Sequence, residues 1–492
     1  MVFYKLMSKI KHWYKPKPYP HLSRKLVKQD FGFVMGYVSN ENSVAKHGFY
    51  PLIHMVKAQR KYKTVKLENG QVKRRHSYKE GKVTKSTKKY RDIYYATHMD
   101  SHIYSYYSNK ILGKLYEKEL SKTPELSNCI SAYRRIPVEN SDRNKCNIHF
   151  AKDVFDYIKI KGECVAMTFD ITSFFDSLDH EMLKKCWCRI LNENKLPKDH
   201  YNIFKSLTQF SYVDLGNPRY KKKGLLKAIN IEHVNDLRRK KIDSFFGSPK
   251  MFRSKVVASG LIKRNTDKNG MLKKFGIPQG TPLSAFLANL FLLEFDKKMY
   301  DVIQVKFNGL YRRYSDDIAV ICDFQNKDEI ENLVHEEIKN FNLDIQKEKT
   351  KTWVFNLNLD NLLESYQIDS IGLCSKKAFQ YLGFEFDGSR VLLKSTSLAK
   401  FYRNMKQVVR RRAVRARHYI NKRPSLARIY RKNVYKRFTH LGMNCRKKNY
   451  IKYGQIAYKI FDERSIKKQV SKSWNKVQKE IERFAIKNNL NK

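Results

Sequence analysis

The sequence is poor in acid: its 492 residues carry 47 Asp and Glu against 100 Lys and Arg, a formal net charge of +53. A compact body repels itself at that charge, so a polyanion is the expected partner, with nucleic acid the default. Cysteine is also sparse in any useful pattern. Eight are scattered, Cys186 and Cys188 form a CxC around Trp187, and no CxxC pair completes a zinc set or suggests a disulfide framework. Long apolar runs are missing too. The uncharged stretch Gly276–Leu293 is broken by Pro278, Gln279, Pro282 and Asn289, which makes it a poor lipid span. Near the start, Lys5, Lys9 and Lys11 interrupt any apolar core of signal-peptide length, so an intracellular, cytoplasmic protein is expected. Basic residues run through the whole chain instead of one amphipathic flank, which argues against a membrane partner. No repeat of solenoid period and no long Gly/Ser linker is visible. What is present, 41% hydrophobic and 13% aromatic residues, excludes global disorder and leaves room for two or three domains.

Charge divides the chain. Residues 1–29 hold eight Lys or Arg and no acid, and Lys15-Pro-Lys-Pro-Tyr-Pro20 reads as an extended basic arm. From His54 to Tyr90, thirteen Lys or Arg face only Glu68 and Glu80, with Glu68-Asn69-Gly70 as a hairpin turn in a basic ribbon suited to phosphate backbone. The strongest run is Gly388–Phe461, with 22 Lys or Arg, no acid and interleaved tyrosines. A solvated helix face normally mixes signs. An acid-free run repels itself on every turn unless phosphates neutralise it, so RNA contact is expected there, at Arg410, Arg411, Arg412, Arg415 and Arg417.

The acids collect in the middle, about Asp92 to Asp387. Glu163–Asp170 reads ECVAMTFD, a buried strand ending at a carboxylate, and Leu310–Cys322 reads LYRRYSDDIAVIC, a hairpin with Asp316 and Asp317 at its tip. An Asp-rich turn alone means little, since Asp builds its own turns. Three carboxylates converging from neighbouring strand ends would repel unless divalent metal neutralised them, which points to magnesium and nucleotidyl transfer. In Gly276–Phe295, GIPQGTPLSAFLANLFLLEF, Thr281 is expected as an N-cap and Pro282 as the first residue of a buried helix. Gln279 and Gly280 in the preceding turn offer hydrogen bonds and close backbone approach to a ligand. His98, Asp100 and His102 are splayed around a helix by their spacing and read as structural contacts.

In the order FDITSFFDSLDH, GIPQGTPLS, YRRYSDD, LDIQKEKTK and QYLGFEF, these segments resemble the palm motifs of reverse transcriptases. AYRR at 132–135, with Lys145 and Asn147, is similar to the fingers motif of bacterial members, and ATHMDSHIYSYYS resembles their N-terminal helix. The resemblance implies an α+β right-hand polymerase, with mixed fingers, an antiparallel palm sheet backed by helices, and a basic helical thumb. It implies boundaries at 1–91 for the basic arm and ribbon, 92–390 for fingers and palm with an insertion at about 214–270, and 391–492 for the thumb. Asp170, Asp316 and Asp317 would bind two Mg²⁺ ions, with Mn²⁺ as a substitute and the Ile171 carbonyl as a further ligand. Lys349 would protonate pyrophosphate, the alternative being an ordinary solvated lysine. Arg134 and Lys145 would hold the triphosphate, Gln279 and Gly280 the incoming nucleotide, and Leu382, Gly383 and Phe384 the primer end. Phe175 would exclude a ribose 2′-hydroxyl and so favour dNTPs, the alternative being core packing.

No zinc endonuclease, long maturase region or acidic RNase H centre is expected from the pattern, so the chain resembles the stand-alone bacterial enzymes of retrons and of phage-defence systems, with AYRR and the basic tail leaning toward the defence-associated and abortive-infection group. That implies an antiphage role and a noncoding RNA as template and scaffold, with a DNA product. A homo-oligomer assembled with RNA is compatible with the charge. The alternatives are a retron-type enzyme making a branched RNA–DNA, an RNA-dependent RNA polymerase, opposed by Ser315 and Phe175, and a non-enzymatic RNA scaffold.

Overall fold

The computed structural model describes the chain apart from residues 1–12, 61–62, 67–71, 76, 81–82, 87, 217–223, 226–228, 230–234, 238, 240–243, 347–348, 370–371, 446–447 and 491–492. The chain forms two compact units that interleave in sequence. One comprises Met1–Tyr133, Ile171–Lys297 and His335–Asp344, the other Arg134–Asp170, Lys298–Val334 and Ile345–Lys492. No helix among the described residues is long and apolar enough to cross a membrane.

The first unit is built on a four-stranded sheet in the order Lys88–Tyr95, Leu52–Arg60, Ser211–Asp214, Ile262–Arg264. Leu52–Arg60 and Lys88–Tyr95 pair antiparallel from Ile53 opposite Tyr95 to Arg60 opposite Lys88, which forms the basic ribbon. Between them in sequence, Lys63–Lys66 pairs with Val72–Arg75 and Ser77–Glu80 with Val83–Ser86, each as a separate two-stranded sheet. The expected Glu68-Asn69-Gly70 turn lies outside the described residues. A polar chain crosses the sheet: His54 Nδ1 lies 2.5 Å from Asp214, its Nε2 lies 2.8 Å from Asp92, and the Lys263 ammonium donates to Asp214 at 2.7 Å. Burial alone would raise the Asp214 carboxyl, but hydrogen bonds from His54 and Lys263 outweigh it and hold the group below its usual range.

The N-terminal arm is extended through its prolines, and its described part is packed down. Trp13 and Leu22 are buried, and His21 is fully buried with Nε2 at 2.9 Å from the Tyr95 carbonyl. The apolar and aromatic residues between the lysines account for this docking. His98, Asp100 and His102 serve three different neighbours: His98 Nε2 meets the Tyr19 carbonyl, Asp100 accepts from His47 and the Tyr50 amide, and the His102 ring stacks on Tyr14.

The second unit is a six-stranded antiparallel sheet in the order Leu310–Tyr314, Asp317–Cys322, Cys164–Asp170, Lys351–Leu357, Leu363–Ile368, Cys374–Lys376. Cys164, Val165, Ala166, Met167 and Phe169 are all buried, so both faces of the central strand are covered. Helix Asn147–Lys161 precedes that strand, ends at Gly162 with φ 76°, and buries Ile148, Ala151, Phe155 and Ile158 in the same core as Ala166, Ala319 and Trp353. Phe379–Tyr381, Phe384–Phe386 and Val391–Leu393 form a second, three-stranded sheet. Helix Ser395–Arg417 follows, burying Phe401, Met405, Val409, Ala413 and Ala416 at helical spacing. Arg410, Arg411, Arg415 and Arg417 point to solvent, while Arg412 donates to the Tyr430 carbonyl at 3.2 Å.

Phe155 joins these layers. Its fully buried ring lies 5.1 Å from Phe386, 5.8 Å from Phe379 and 6.0 Å from Phe461. Phe155→Ala is expected to cost about 3–5 kcal/mol by removing that packing and leaving a cavity. Denaturant titration of the purified variant checks this, and a loss below 1 kcal/mol would contradict it.

Candidate active site

Strand pairing brings the acids together. Asp170 is the last residue of Cys164–Asp170 and stands opposite Asp317, the first residue of the neighbouring strand. Tyr314 also pairs with Asp317, so Ser315 and Asp316 form a two-residue hairpin turn. Ser315 adopts φ 62°, a conformation glycine takes more readily, and it is buried. The fully buried Arg313 donates from Nη1 to the Ser315 carbonyl at 3.2 Å, bracing the turn from beneath. That support was missed in the sequence, where Arg313 reads as one more basic residue.

The electrostatics are those of a crowded anionic site. Asp317 keeps an exposed edge, yet the protein around it and then the Asp316 and Asp170 charges push its carboxyl up to about 6, against a partial pull downward from Lys394 and Lys349. Lys349 places its ammonium 2.5 Å from Asp170 Oδ1. Its backbone is set by a short turn in which the Gln346 amide donates to the Asp170 carbonyl and the Lys349 amide to that of Gln346. Among the described residues, no three His, Cys, Asp or Glu already stand at ligating geometry. The donor set nonetheless fits hard cations: three carboxylates converge, one is already resisting its charge, and an ammonium now neutralises another.

Ile171, Phe175, Gln279 and Gly280 lie in the first unit. Ile171 follows Asp170 in the chain and is buried. Phe175 is half-buried, with its ring 5.6 Å from Phe174, and its carbonyl accepts from the Ile277 amide at 2.8 Å. Gly276 donates to the Leu178 carbonyl at 2.8 Å, so the Phe175 turn and the GIPQG loop are tied as one piece. Gly280 has φ 123°, and any Cβ there would run into the Tyr94 carbonyl oxygen; the Tyr94 amide donates to the Gln279 carbonyl at 2.9 Å. The basic ribbon thus seats the Gln279-Gly280 turn, a long-range contact with no local signal in the sequence. The helix after the turn begins at Ser284, two residues later than expected at Pro282. The Thr281 hydroxyl still accepts from the Ser284 amide, while Ser284 Oγ turns back to the Pro278 carbonyl.

Arg134 and Lys145 lie in the second unit, with Arg134 half-buried. A backbone hydrogen bond from Lys145 to Ile136 closes their loop, and the Lys145 ammonium lies 3.6 Å from Asp153. Leu382 and Gly383 form the turn of the three-stranded sheet, both at positive φ, while the Phe384 side chain is fully buried against Phe461.

Residues 230–386 match the family model described as reverse transcriptase (RNA-dependent DNA polymerase). The span contains Gln279, Gly280, Asp316, Asp317, Lys349, Leu382, Gly383 and Phe384 and begins after Asp170 and Phe175; strand pairing is what attaches Asp170 to it. A search of curated proteins finds no match to the sequence. Solved structures similar to the chain include apo telomerase from Candida tropicalis truncated from its C-terminal domain, at 11% identity and TM-score 0.36, covering 74% of this chain and 59% of that one. Another is telomerase from Candida albicans in complex with a TWJ fragment of telomeric RNA, at 13% identity and TM-score 0.36, covering 99% and 68%. The chain therefore spans less than two thirds of the first of these proteins.

The Asp317 carboxyl gives a pH prediction with a definite sign. Its folded pKa of about 6 lies above the ordinary carboxylate value, so the native state holds the proton more tightly, and the charged form is a burden that is fully present above about pH 6. Asp317→Asn is expected to raise the thermal midpoint at pH 7.5, with the gain shrinking as pH falls from 6 toward 4. Thermal melts across that range check it, and a gain that grows on acidification would contradict it.

Proposed function

We propose that this chain, whose residues 230–386 match the reverse transcriptase family model, is an RNA-directed DNA polymerase that copies an associated noncoding RNA into DNA from dNTPs, in antiphage defence. The observation that carries the polymerase reading is the register of Asp170 opposite Asp317, beside Asp316 in the hairpin turn. Asp170, Asp316 and Asp317 would hold two Mg²⁺ ions, or Mn²⁺ in their place, with the Ile171 carbonyl as a further ligand. Bound there, the metal would activate a primer 3′-hydroxyl and offset charge on the departing pyrophosphate.

The chain's own residues do the rest. The Lys349 ammonium sits on Asp170, within the acidic cluster, where it can give a proton to the leaving pyrophosphate. Phe175, held to the GIPQG loop through its carbonyl, would pack under the sugar and exclude a 2′-hydroxyl. Gln279 and Gly280 would present hydrogen bonds and bare backbone to the incoming nucleotide. Arg134 and Lys145 would hold its triphosphate, for which a forked guanidinium is chemically suited. Exposed Arg410, Arg411, Arg415 and Arg417 with Arg412 form a basic face on an acid-free helix, which supports RNA as scaffold as well as template.

The experiment is to purify the protein with its bound RNA, sequence that RNA, and add Mg²⁺ and dNTPs with Asp316→Ala as the blank. The expected result is one dominant RNA, a DNA product complementary to part of it in the wild type, and a loss of at least about a thousandfold in the variant. Heterogeneous RNA with no incorporation would remove the polymerase reading, and a branched RNA–DNA product would redirect it to the retron class. Phe175→Ala should admit rNTPs at increased frequency, and unchanged sugar selection would remove Phe175 from that role.

A further inference from the structure

The Leu382-Gly383 turn is held by more than its own strands. Leu382 adopts φ 42°, a left-handed conformation that a branched apolar side chain resists, and Gly383 follows at φ 93°. The Asn147 side chain donates from Nδ2 to the Leu382 carbonyl at 2.9 Å and, with its second proton, to the Tyr453 hydroxyl at 2.9 Å. A carbonyl can only accept, so the amide nitrogen must be the atom facing Leu382. Asn147 opens helix Asn147–Lys161, where its side chain makes no cap, and Tyr453 lies in helix Tyr450–Phe461. Three segments far apart in sequence therefore meet at one strained peptide.

The turn is also placed to matter. The Gly383 carbonyl accepts from the Lys394 amide at 3.0 Å, immediately before helix Ser395–Arg417 begins. Tyr381, next to Leu382, is buried and pairs with Phe384 across the turn. On the side where a Cβ would project from Gly383, the nearest atom is the Tyr453 hydroxyl at 4.0 Å, so the backbone is open to a ligand there.

We propose that Asn147 is a positioning residue for the primer terminus, fixing the Leu382-Gly383 turn in its left-handed form and tying it to Tyr453. This rests on the reading of the chain as a polymerase whose primer end meets that turn. The primer-terminal sugar would be held by Gly383 backbone in a fixed position. Releasing the Leu382 carbonyl lets the turn relax, and a displacement of about 1 Å at reacting atoms costs on the order of a hundredfold in rate.

The test uses the full chain with an RNA template and a DNA primer carrying 2-aminopurine at its 3′ end, comparing wild type with Asn147→Ala, Asn147→Asp and Tyr453→Phe. Asp at position 147 keeps the size and suits a helix start, but its oxygens cannot donate, so it serves should the alanine variant fail to fold. Both Asn147 variants are expected to lower the single-turnover rate at saturating dNTP by at least about tenfold, with dNTP KM within about threefold of wild type. They should also leave the thermal midpoint nearly unchanged and raise terminal 2-aminopurine fluorescence as the primer end unseats. Tyr453→Phe, which keeps the Leu382 contact but loses the tie to the Tyr453 hydroxyl, should lower the rate less than either Asn147 variant. Wild-type rates and fluorescence in both Asn147 variants would overturn the proposal, as would a rate loss that merely tracks lost stability. Failure of the wild type to extend any primer is a different result: it removes the polymerase reading, while the fluorescence still reports whether Asn147 seats a primer end.

Discussion

Repulsion between carboxylates at one end of a central strand pair is the constraint around which the second unit is arranged. Asp170 and Asp317 are cross-strand neighbours, and Asp316 adds a third charge from the adjoining turn. Like charges placed directly opposite one another weaken a sheet, so the strands must be fixed by everything else they touch. Cys164–Asp170 is covered on both faces, and Ile318, Ala319, Val320, Ile321 and Cys322 are fully buried behind Asp317. The apolar run holds the acids at a spacing they would not choose. What they gain is neutralisation, from Lys349 in this structure and from divalent metal in the proposed reaction.

The chain as a whole has the opposite problem. With 100 basic residues, local pairing can neutralise only a fraction, and the helix Ser395–Arg417 has no acid of its own. Its apolar stripe fixes one side against the core and leaves most of the arginines outward. Burial thus presents the charge without relieving it, and phosphate is the partner that would. The N-terminal arm shows that basic sequence need not be free: Trp13, His21 and Leu22 hold it to the first unit, so its exposed lysines sit on a fixed surface.

Much of the second unit could be read from sequence because its signals are local. Val165, Met167 and Phe169 announce a strand and Ser315-Asp316 a turn, while the helical region from Ser395 is expected from the family resemblance alone. The proximity of Asp170 to the SDD turn was inferable only from their mutual chemistry and the motif order. What escaped sequence reading is contact at long range between unremarkable residues: Arg313 beneath Ser315, Tyr94 against Gly280, and Asn147 on Leu382. Each is a hydrogen bond or a steric stop whose partner is set by the tertiary fold, and no periodicity encodes that. The helix after GIPQG started late for a similar reason, since Ser284 Oγ is spent on the Pro278 carbonyl and holds the intervening residues as a turn.

Backbone strain gives an independent measure of where the structure is constrained. Among the described residues, most non-glycine positions at positive φ are Asn or Asp, which tolerate it; the exceptions are Tyr133, Ser173, Ser315 and Leu382. Tyr133, Ser315 and Leu382 adjoin Arg134, Asp316 and Gly383, and Ser173 lies two residues before Phe175. Such conformations cost on the order of 1–3 kcal/mol each and persist only when the surroundings enforce them. The enforcement is visible at every one. Asn289 grips the Ala132 carbonyl at 2.7 Å, the Asp176 amide and Ser177 hydroxyl take that of Ser173, Arg313 that of Ser315, and Asn147 that of Leu382. At Ser315 and Leu382 a side chain distant in sequence or buried beneath the turn donates to the carbonyl of the residue at positive φ. Such support marks the backbone positions whose geometry each unit maintains against its own local preference.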